Sequence, residues 1–389
     1  MGAASGLLAA VVVAALPVGC SDEPSGPLPP SDAASDTQVS SGDGGVRGDA
    51  TVTPRGTRVL GLAVEIGDVD FQSNVRTARD AGAQTTNLTF GWDDVERAVD
   101  AGDAGDADAD ASAAPTQLFN PLLHVANLVL PDERMGAIVT LDAVDVSGAR
   151  APATLAGRAL DDAELGARYD RLTDYALDQL PDVSVTALFF ASNVDIPLGD
   201  DPAKHAAFAT FITRAAAHVH ASRPKMKVGF VVTASGAVAA RERFKAAWAA
   251  SDVIGLTYLP VDAAAQVRPV SAIGSDLDQL IAALPPGVPV VVREAGYPAA
   301  TENGSTEAAQ AEFVSVAFSA WDRHADRLSV VTFRELVDLE PTRAANLALR
   351  YGRSDPAFLG FLGSLGLRSA SRPKPSFAAL VSEARARGF

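Results

Sequence analysis

Eight short runs of β-branched and apolar residues, each followed by a longer amphipathic segment, constrain the fold of this chain more than any other feature of its sequence. Apolar runs of this length are typical of buried strands, and their alternation with helical segments is typical of βα units in a parallel sheet. The runs are RVLGLAVEI from Arg58, TTNLTF from Thr85, GAIVTLDAV from Gly136, VTALFFAS from Val185, KVGFVVT from Lys227, DVIGLTYL from Asp252, VPVVVRE from Val288 and LSVVTF from Leu328.

The number of these units predicts the architecture. Eight strand–helix units over roughly 330 residues predict an α/β fold, a single (β/α)₈ TIM barrel. A doubly wound open sheet is the alternative, but no glycine-rich phosphate-binding loop follows the first run. Because functional side chains of such barrels lie at the carboxyl ends of the strands, the residues that end each run are candidate site residues.

The charge of the chain limits its partners. The 389 residues carry a formal net charge of −16 at pH 7, and basic clusters are absent. A strongly acidic protein is repelled by nucleic acid and by anionic lipid surfaces. We therefore expect no nucleic-acid partner, and a membrane partner only through a covalent anchor.

The N-terminus resembles an export signal over residues 1–20. The stretch LLAAVVVAALPVGC contains an apolar segment, Leu7 to Leu16, that is too short for a permanent transmembrane helix. It ends at Cys20, the only cysteine, so disulfides within the chain are excluded. LPVGC resembles a bacterial lipobox, which implies lipidation of Cys20; an ordinary cleaved secretory signal is the alternative. Both predict an exported protein, either a membrane-anchored lipoprotein of a bacterial cell envelope or a secreted protein.

Two segments have compositions that predict disorder. Residues 21–55 are rich in Ser, Asp, Gly and Pro, so we expect a disordered linker before a folded domain at 58–389. Residues 99–115, VDAGDAGDADADASAAP, form an acidic low-complexity insertion after the second run. Alternating aspartates suit calcium, but the glutamate that closes a Ca²⁺ loop is missing, so no metal site is predicted.

The ends of the predicted strands carry mainly acidic and aromatic residues. They are Glu65, Trp92, Asp142, Asp145, Asn193, Asp195, Tyr258, Glu294 and Glu335. Aromatic faces stack on sugar rings and carboxylates accept hydrogen bonds from hydroxyls, so this set predicts an oligosaccharide or polysaccharide ligand. The predicted substrate-binding residues are Trp92, Asp195, Asp145, Glu335 and Glu65. The histidines do not cluster as a zinc site requires, and no cofactor is predicted.

Several of these residues lie in motifs of a known family. DVIGLTYLP followed by VVVREAGYP, with an earlier LTFGWDDVE, resembles the clan A (β/α)₈ glycoside hydrolases and, within them, the endo-β-1,4-galactanase-like group. The resemblance extends from about Arg58 to Phe389. It implies that Glu294 is the catalytic nucleophile at the end of the seventh strand. It also implies that Tyr258, at the end of the sixth strand, hydrogen-bonds this nucleophile.

The same resemblance places an amide where the family has its general acid and base. The family ends its fourth strand with an Asn-Glu pair, whereas FFASNVDIPLG puts Asn193 at the position of the Glu. Retaining hydrolysis uses two carboxyl groups about 5–5.5 Å apart, and an amide cannot supply the proton. Asp195 is the first candidate to replace the missing acid, and Glu335 and Asp145 are weaker ones.

The sequence supports three functional hypotheses. The first is a weak or altered retaining glycosidase with Glu294 as the nucleophile. The second is a catalytically inactive, carbohydrate-binding surface lipoprotein, and the third is a structural lipoprotein that kept only the fold. The candidate residues also have structural interpretations: Glu294 pairs with Arg293, Trp92 packs a loop, and Tyr258 lies at the barrel rim.

Overall fold

A computed structural model of the chain describes residues 52–98 and 116–389. The predicted signal peptide at 1–20 with Cys20, the acidic insertion at 99–115 and most of the predicted linker at 21–55 lie outside the described residues. These remain predictions.

Eight parallel strands form a closed barrel, and each coincides with one of the predicted runs. The strands are β1 Val59–Leu62, β2 Thr85–Gly91, β3 Gly136–Asp142, β4 Val185–Phe189, β5 Val228–Thr233, β6 Val253–Tyr258, β7 Val290–Ala295 and β8 Leu328–Phe333. Each strand pairs with its neighbours in the chain, and β1 pairs with β8 from Val59 opposite Val330 to Leu62 opposite Phe333. The predicted single (β/α)₈ barrel is confirmed.

Helices follow the strands around the outside of the barrel. They are α1 Phe71–Asp80, α2 Trp92–Val95, α3 Pro121–Asp132, α4 Ala163–Asp178, α5 Asp195–Leu198, α6 Pro202–Ser222, α7 Ala234–Ala239, α8 Arg241–Ala249, α9 Val270–Ala283, α10 Glu307–Arg323, α11 Pro341–Arg350, α12 Pro356–Gly363 and α13 Pro375–Arg387. Two antiparallel two-stranded sheets pair Glu96–Ala98 with Thr116–Leu118 and Val144–Asp145 with Gly148–Ala149. Within 52–98 and 116–389, no helix has both the length and the apolar character needed to cross a bilayer.

Side-chain caps define where several outer helices begin. The Asp162 carboxylate accepts hydrogen bonds from the backbone of the first turn of α4, and Asp201 does the same for α6. The Thr306 hydroxyl accepts one at the start of α10. Such caps satisfy amides that have no partner within the helix. The apolar faces of these helices then pack on the outside of the barrel.

The interior of the barrel is divided into an apolar and a polar half. Buried apolar side chains fill the amino-terminal half: Ile138, Ala187, Phe189, Val231, Val253, Val291 and Val330. The carboxyl-terminal half contains Thr140, Asp142 and Arg293, which are all buried. A separate apolar cluster joins α11 and α12 to the segment after β6. The polar half is therefore the part of the core that opens at the barrel mouth.

The two ends of the described chain meet at the amino-terminal face of the barrel. The amide of Arg55 donates to the carbonyl of Arg387 over 2.8 Å. Asp322, near the end of α10, pairs with Arg58 at 2.8 Å and with Arg387 at 2.7 Å. Because Arg58 immediately precedes β1, these ion pairs fix the start of the barrel against α10 and α13.

Candidate active site at the barrel mouth

A bulge in β7 directs two consecutive charged residues to the cavity at the barrel mouth. Val292 pairs with Leu256 of β6, but Glu294 pairs with the next residue, Thr257, so Arg293 is an extra residue in β7. Consecutive strand residues normally point to opposite faces, and an extra residue breaks this alternation. Arg293 and Glu294 consequently both line the cavity.

The cavity has a volume of about 110 Å³ and lies at the carboxyl ends of β1, β2, β7 and β8. Its polar lining residues are Glu65, Asn87, Thr89, Arg293, Glu294, Arg334 and Glu335. Three predicted site residues, Glu294, Glu335 and Glu65, therefore come together. Within the described ranges, no group of three or more His, Cys, Asp and Glu side chains is arranged to hold a metal ion.

Glu294 is held between two guanidinium groups. Its Oε1 accepts from Arg293 Nη1 at 2.5 Å and its Oε2 accepts from Arg334 Nη1 at 2.9 Å. Burial acts to raise the pKa of this carboxyl, but Arg334 and Arg293 together hold the pKa below its usual value. Glu294 is thus ionised at neutral pH.

Arg293 crosses the interior of the barrel and fixes the bulge. Its Nε donates to Thr140 Oγ1 on β3 at 3.0 Å, and its Nη2 donates to Thr89 Oγ1 on β2. The Asn87 side chain donates to the Arg293 carbonyl at 2.9 Å. The position of Glu294 is therefore set by hydrogen bonds to two other strands.

Glu335 approaches the same cavity from the end of β8. Its φ is +57°, a left-handed conformation that is uncommon for a residue other than glycine. Burial raises the pKa of its carboxyl to about 7; Arg334 opposes this shift, and Glu65 and Glu294 add to it. Two carboxyl groups with opposite pKa shifts thus share one cavity, an arrangement typical of acid and base pairs in active sites.

Glu65 lines the side of the cavity that follows β1. Its carboxylate pairs with Arg343 Nη2 of α11 at 3.3 Å. Arg343 also pairs with Asp68, on the loop between β1 and α1. These ion pairs connect α11 to the loop after β1 across the edge of the cavity.

Asn193 and Asp195 do not line this cavity. Asn193 has a left-handed φ of +50°, and its amide oxygen is buried with no hydrogen-bond partner among the described residues. The Asp195 carboxylate accepts from Thr233 N at 2.8 Å and from Thr233 Oγ1 at 2.6 Å. It also packs so closely on Gly236 that an added Cβ there would lie 2.2 Å from it. Asp195 therefore joins α5 to α7, outside the cavity that contains Glu294.

Tyr258 differs from its predicted role. Its ring stacks on Phe313 of α10, with centroids 6.4 Å apart, and its hydroxyl is buried with no hydrogen-bond partner among the described residues. Since Thr257 pairs with Glu294 and strand side chains alternate, the next residue faces the helices instead of the cavity. The predicted hydrogen bond from Tyr258 to Glu294 is absent.

Trp92 and Asp145 also lie away from the cavity. The Trp92 indole is fully buried, donates from Nε1 to Glu96 at 2.7 Å and packs against Tyr169. Because it is fully buried, the indole presents no face on which a sugar could stack in this structure. Asp145 pairs with Arg150 at 2.6 Å in the short hairpin after β3.

Four polar cavity residues, Asn87, Thr89, Arg293 and Arg334, were not predicted as site residues. Asn87 and Thr89 are two apart on β2 and share one face, so the polar alternation in TTNLTF was the signal that identifies them. Arg334 stands directly before Glu335 at the end of β8. Its contact with Glu294 depends on how β7 and β8 are placed side by side, and the local sequence carries no signal for it.

Asp142 is a buried carboxyl at the end of β3 that has no ion pair within ranges 52–98 and 116–389. Burial raises its pKa to about 7, while Arg293 and a hydrogen bond from Ser192 oppose the shift. A carboxyl whose pKa is higher in the folded state than in the unfolded state makes its full contribution to stability below the unfolded pKa, where both states bind the proton. That contribution is lost as the pH rises from the unfolded value towards the folded one.

We expect Asp142→Asn to remove this pH dependence. Relative to the wild type, the variant should gain about 2–3 kcal/mol in free energy of unfolding between pH 5 and pH 8, because an amide has no proton to lose. Urea unfolding at both pH values measures the difference. An equal effect of the substitution at pH 5 and pH 8 would show that Asp142 does not titrate in this range.

Solved structures similar to this chain are glycoside hydrolases. The exo-β-1,4-mannosidase from Opitutaceae bacterium strain TAV5 aligns with a TM-score of 0.60 and 15% identity over 85% of this chain and 59% of the mannosidase. A family 5, subfamily 18 glycoside hydrolase from Streptomyces cattleya aligns with a TM-score of 0.61 and 15% identity over 85% and 80% of the two chains. The family 53 catalytic domain from Ignisphaera aggregans aligns with a TM-score of 0.54 and 11% identity over 83% of this chain and 94% of that domain.

These structural neighbours are clan A (β/α)₈ glycoside hydrolases. This chain shares their fold. No family model and no curated protein matches its sequence. At such low identities the likeness establishes the fold alone.

Proposed function

We propose that the chain is an altered retaining glycosidase of the endo-β-1,4-galactanase-like group, with Glu294 as its nucleophile and with Asn193 in place of the usual acid and base. One observation carries this proposal. An ionised carboxylate, fixed by a bulge at the end of β7, lines an open cavity at the mouth of a barrel of the glycoside hydrolase fold.

The surroundings of Glu294 are compatible with nucleophilic attack. Each carboxylate oxygen has two lone-pair sites, and one donor occupies one site on each oxygen. The remaining sites are available to an anomeric carbon. Arg293 and Arg334 keep the nucleophile ionised, and they also favour its departure as a carboxylate when the glycosyl–enzyme ester breaks.

The cavity also offers groups that recognise hydroxyls. The Asn87 amide oxygen is buried with no partner among the described residues, and Thr89 is exposed beside it. The Streptomyces cattleya enzyme was solved with Manβ1-4GlcNAc in one structure and with GlcNAc in another. Both observations support an oligosaccharide or polysaccharide partner. In this proposal, lipidated Cys20 holds the barrel at the cell surface.

Covalent labelling tests the nucleophile. We expect 2-deoxy-2-fluoro galactosyl, glucosyl or mannosyl fluoride to add one sugar to the wild-type protein, with the label on the peptide that contains Glu294. Activated sugars need little protonation of the leaving group, so this step does not depend on the acid. Intact-protein and peptide mass spectrometry measure the product. A label on another carboxylate, or hydrolysis of 2,4-dinitrophenyl glycosides without any label, would contradict the assignment.

The second candidate function is carbohydrate binding without catalysis. Both oxygens of Glu294 already accept from guanidinium groups. The cavity volume of about 110 Å³ is also below the roughly 300–1,000 Å³ of typical ligand pockets. Glycan-array binding by residues 58–389, together with no labelling by any of the three fluorides, would favour this function over the first.

A further inference from the structure

The three carboxyl groups of the cavity differ in their cationic partners. Glu294 pairs with Arg293 and Arg334, and Glu65 pairs with Arg343. Among the side chains that the structure describes, none forms an ion pair or a hydrogen bond with the Glu335 carboxyl. Glu335 is therefore the cavity carboxyl that has no ion-pair partner among these side chains to stabilise its ionised form.

The backbone holds Glu335 in place at the seam between β8, β1 and β7. The Leu336 amide donates to the Ala63 carbonyl after β1 at 2.8 Å, and the Arg334 amide donates to the Ala295 carbonyl of β7 at 2.8 Å. Between these two anchors, Glu335 has its left-handed φ of +57°. Strained conformations of this kind persist where the surrounding structure fixes them, and they are concentrated at functional sites.

We infer that Glu335, at the end of β8, is the proton donor and acceptor that works with Glu294 in place of the carboxyl missing at the end of β4. This inference rests on the proposed function. Both residues line one cavity, at the ends of the neighbouring strands β7 and β8, so a sugar bound in that cavity lies between the elements that carry the two carboxyl groups.

The reaction is then balanced in two steps. A Glu294 oxygen bonds to the anomeric carbon as the glycosidic bond breaks, and the proton of Glu335 passes to the departing oxygen to give an alcohol. Water then attacks the same carbon, its proton passes to the Glu335 carboxylate, and the bond to Glu294 breaks. Each group ends in the protonation state in which it began.

Leaving groups of different acidity test the role of Glu335. For Glu335→Gln, kcat/KM should fall about 10²–10⁴-fold on alkyl glycosides, whose departure requires a proton, and much less on 2,4-dinitrophenyl glycosides. With 2,4-dinitrophenyl glycosides as substrates, sodium azide should speed turnover by the variant and yield a glycosyl azide. Azide attacks the glycosyl–enzyme ester without losing a proton, so this step needs no general base. Glu340→Gln, which changes an exposed carboxyl five residues away, should match the wild type on both substrates.

The pH profile supplies an independent readout. The charged groups that act on Glu335 are Arg334, Glu65, Glu294 and Arg343. On alkyl glycosides the wild type should lose activity as the pH rises through about 7, and Glu335→Gln should lack this limb. If Glu294 is labelled but Glu335→Gln matches the wild type on alkyl glycosides, the role of Glu335 is refuted and the proposed function stands. If no activated sugar labels the wild type, both are refuted.

Discussion

Glu294→Gln is expected to lower the free energy of unfolding by about 3–5 kcal/mol at pH 7, because it removes the charge that two buried or half-buried guanidinium groups share. Arg293 is 4% exposed and Arg334 is 19% exposed, so water compensates little of the loss. Glutamine has nearly the volume of glutamate, and packing is therefore conserved. Urea unfolding monitored by circular dichroism measures the effect.

Glu335→Gln provides the matched control for this stability measurement. It removes a carboxyl of the same size from the same cavity, but at Glu335 the effect of burial on the pKa is not outweighed by ion pairs, as it is at Glu294. At pH 8, above its folded pKa of about 7, this substitution should leave the fold as stable as the wild type or more stable. Equal losses in the two variants would mean that the cavity responds to any change of shape and that the arginine pairing of Glu294 contributes little.

Trp92→Ala is expected to lower the free energy of unfolding by about 3–5 kcal/mol, because it leaves a cavity at a fully buried position. It also leaves Glu96 without the indole donor, although Arg168 and Thr116 still contact that carboxylate. Trp92→Phe keeps most of the volume and should cost less. If Trp92→Phe were as stable as the wild type but raised KM strongly on aryl glycosides, the indole would be a substrate contact after all.

The fold was predictable from the sequence because each strand carries its own signal. Runs such as VPVVVRE and LSVVTF are apolar, β-branched and bounded by polar residues, and the regular alternation with helices leaves few topologies. The position of Glu294 was also predictable, since it ends the seventh run within a motif that resembles the family. Its surroundings were not, because they depend on contacts between strands that are far apart in the sequence.

The bulge in β7 explains why Arg293 lies at the cavity together with Glu294. Strict alternation would send Arg293 and Glu294 to opposite faces, whereas both line the cavity. The same alternation, applied to β6, places Thr257 beside Glu294 and turns Tyr258 towards α10. A one-residue change of register leaves no signal in the composition of a strand. The positions of Arg293 and Thr257 beside Glu294 could therefore be assigned only from the structure.

The ion pairs of Arg58 and Arg387 with Asp322 also determine at which end of the barrel the described chain begins. They hold residues 52–58 at the amino-terminal face, while the cavity opens at the opposite end of the strands. Residue 52 thus lies on the side of the barrel remote from the cavity. A surface or fusion partner attached directly at residue 52 should therefore leave the mouth of the barrel uncovered.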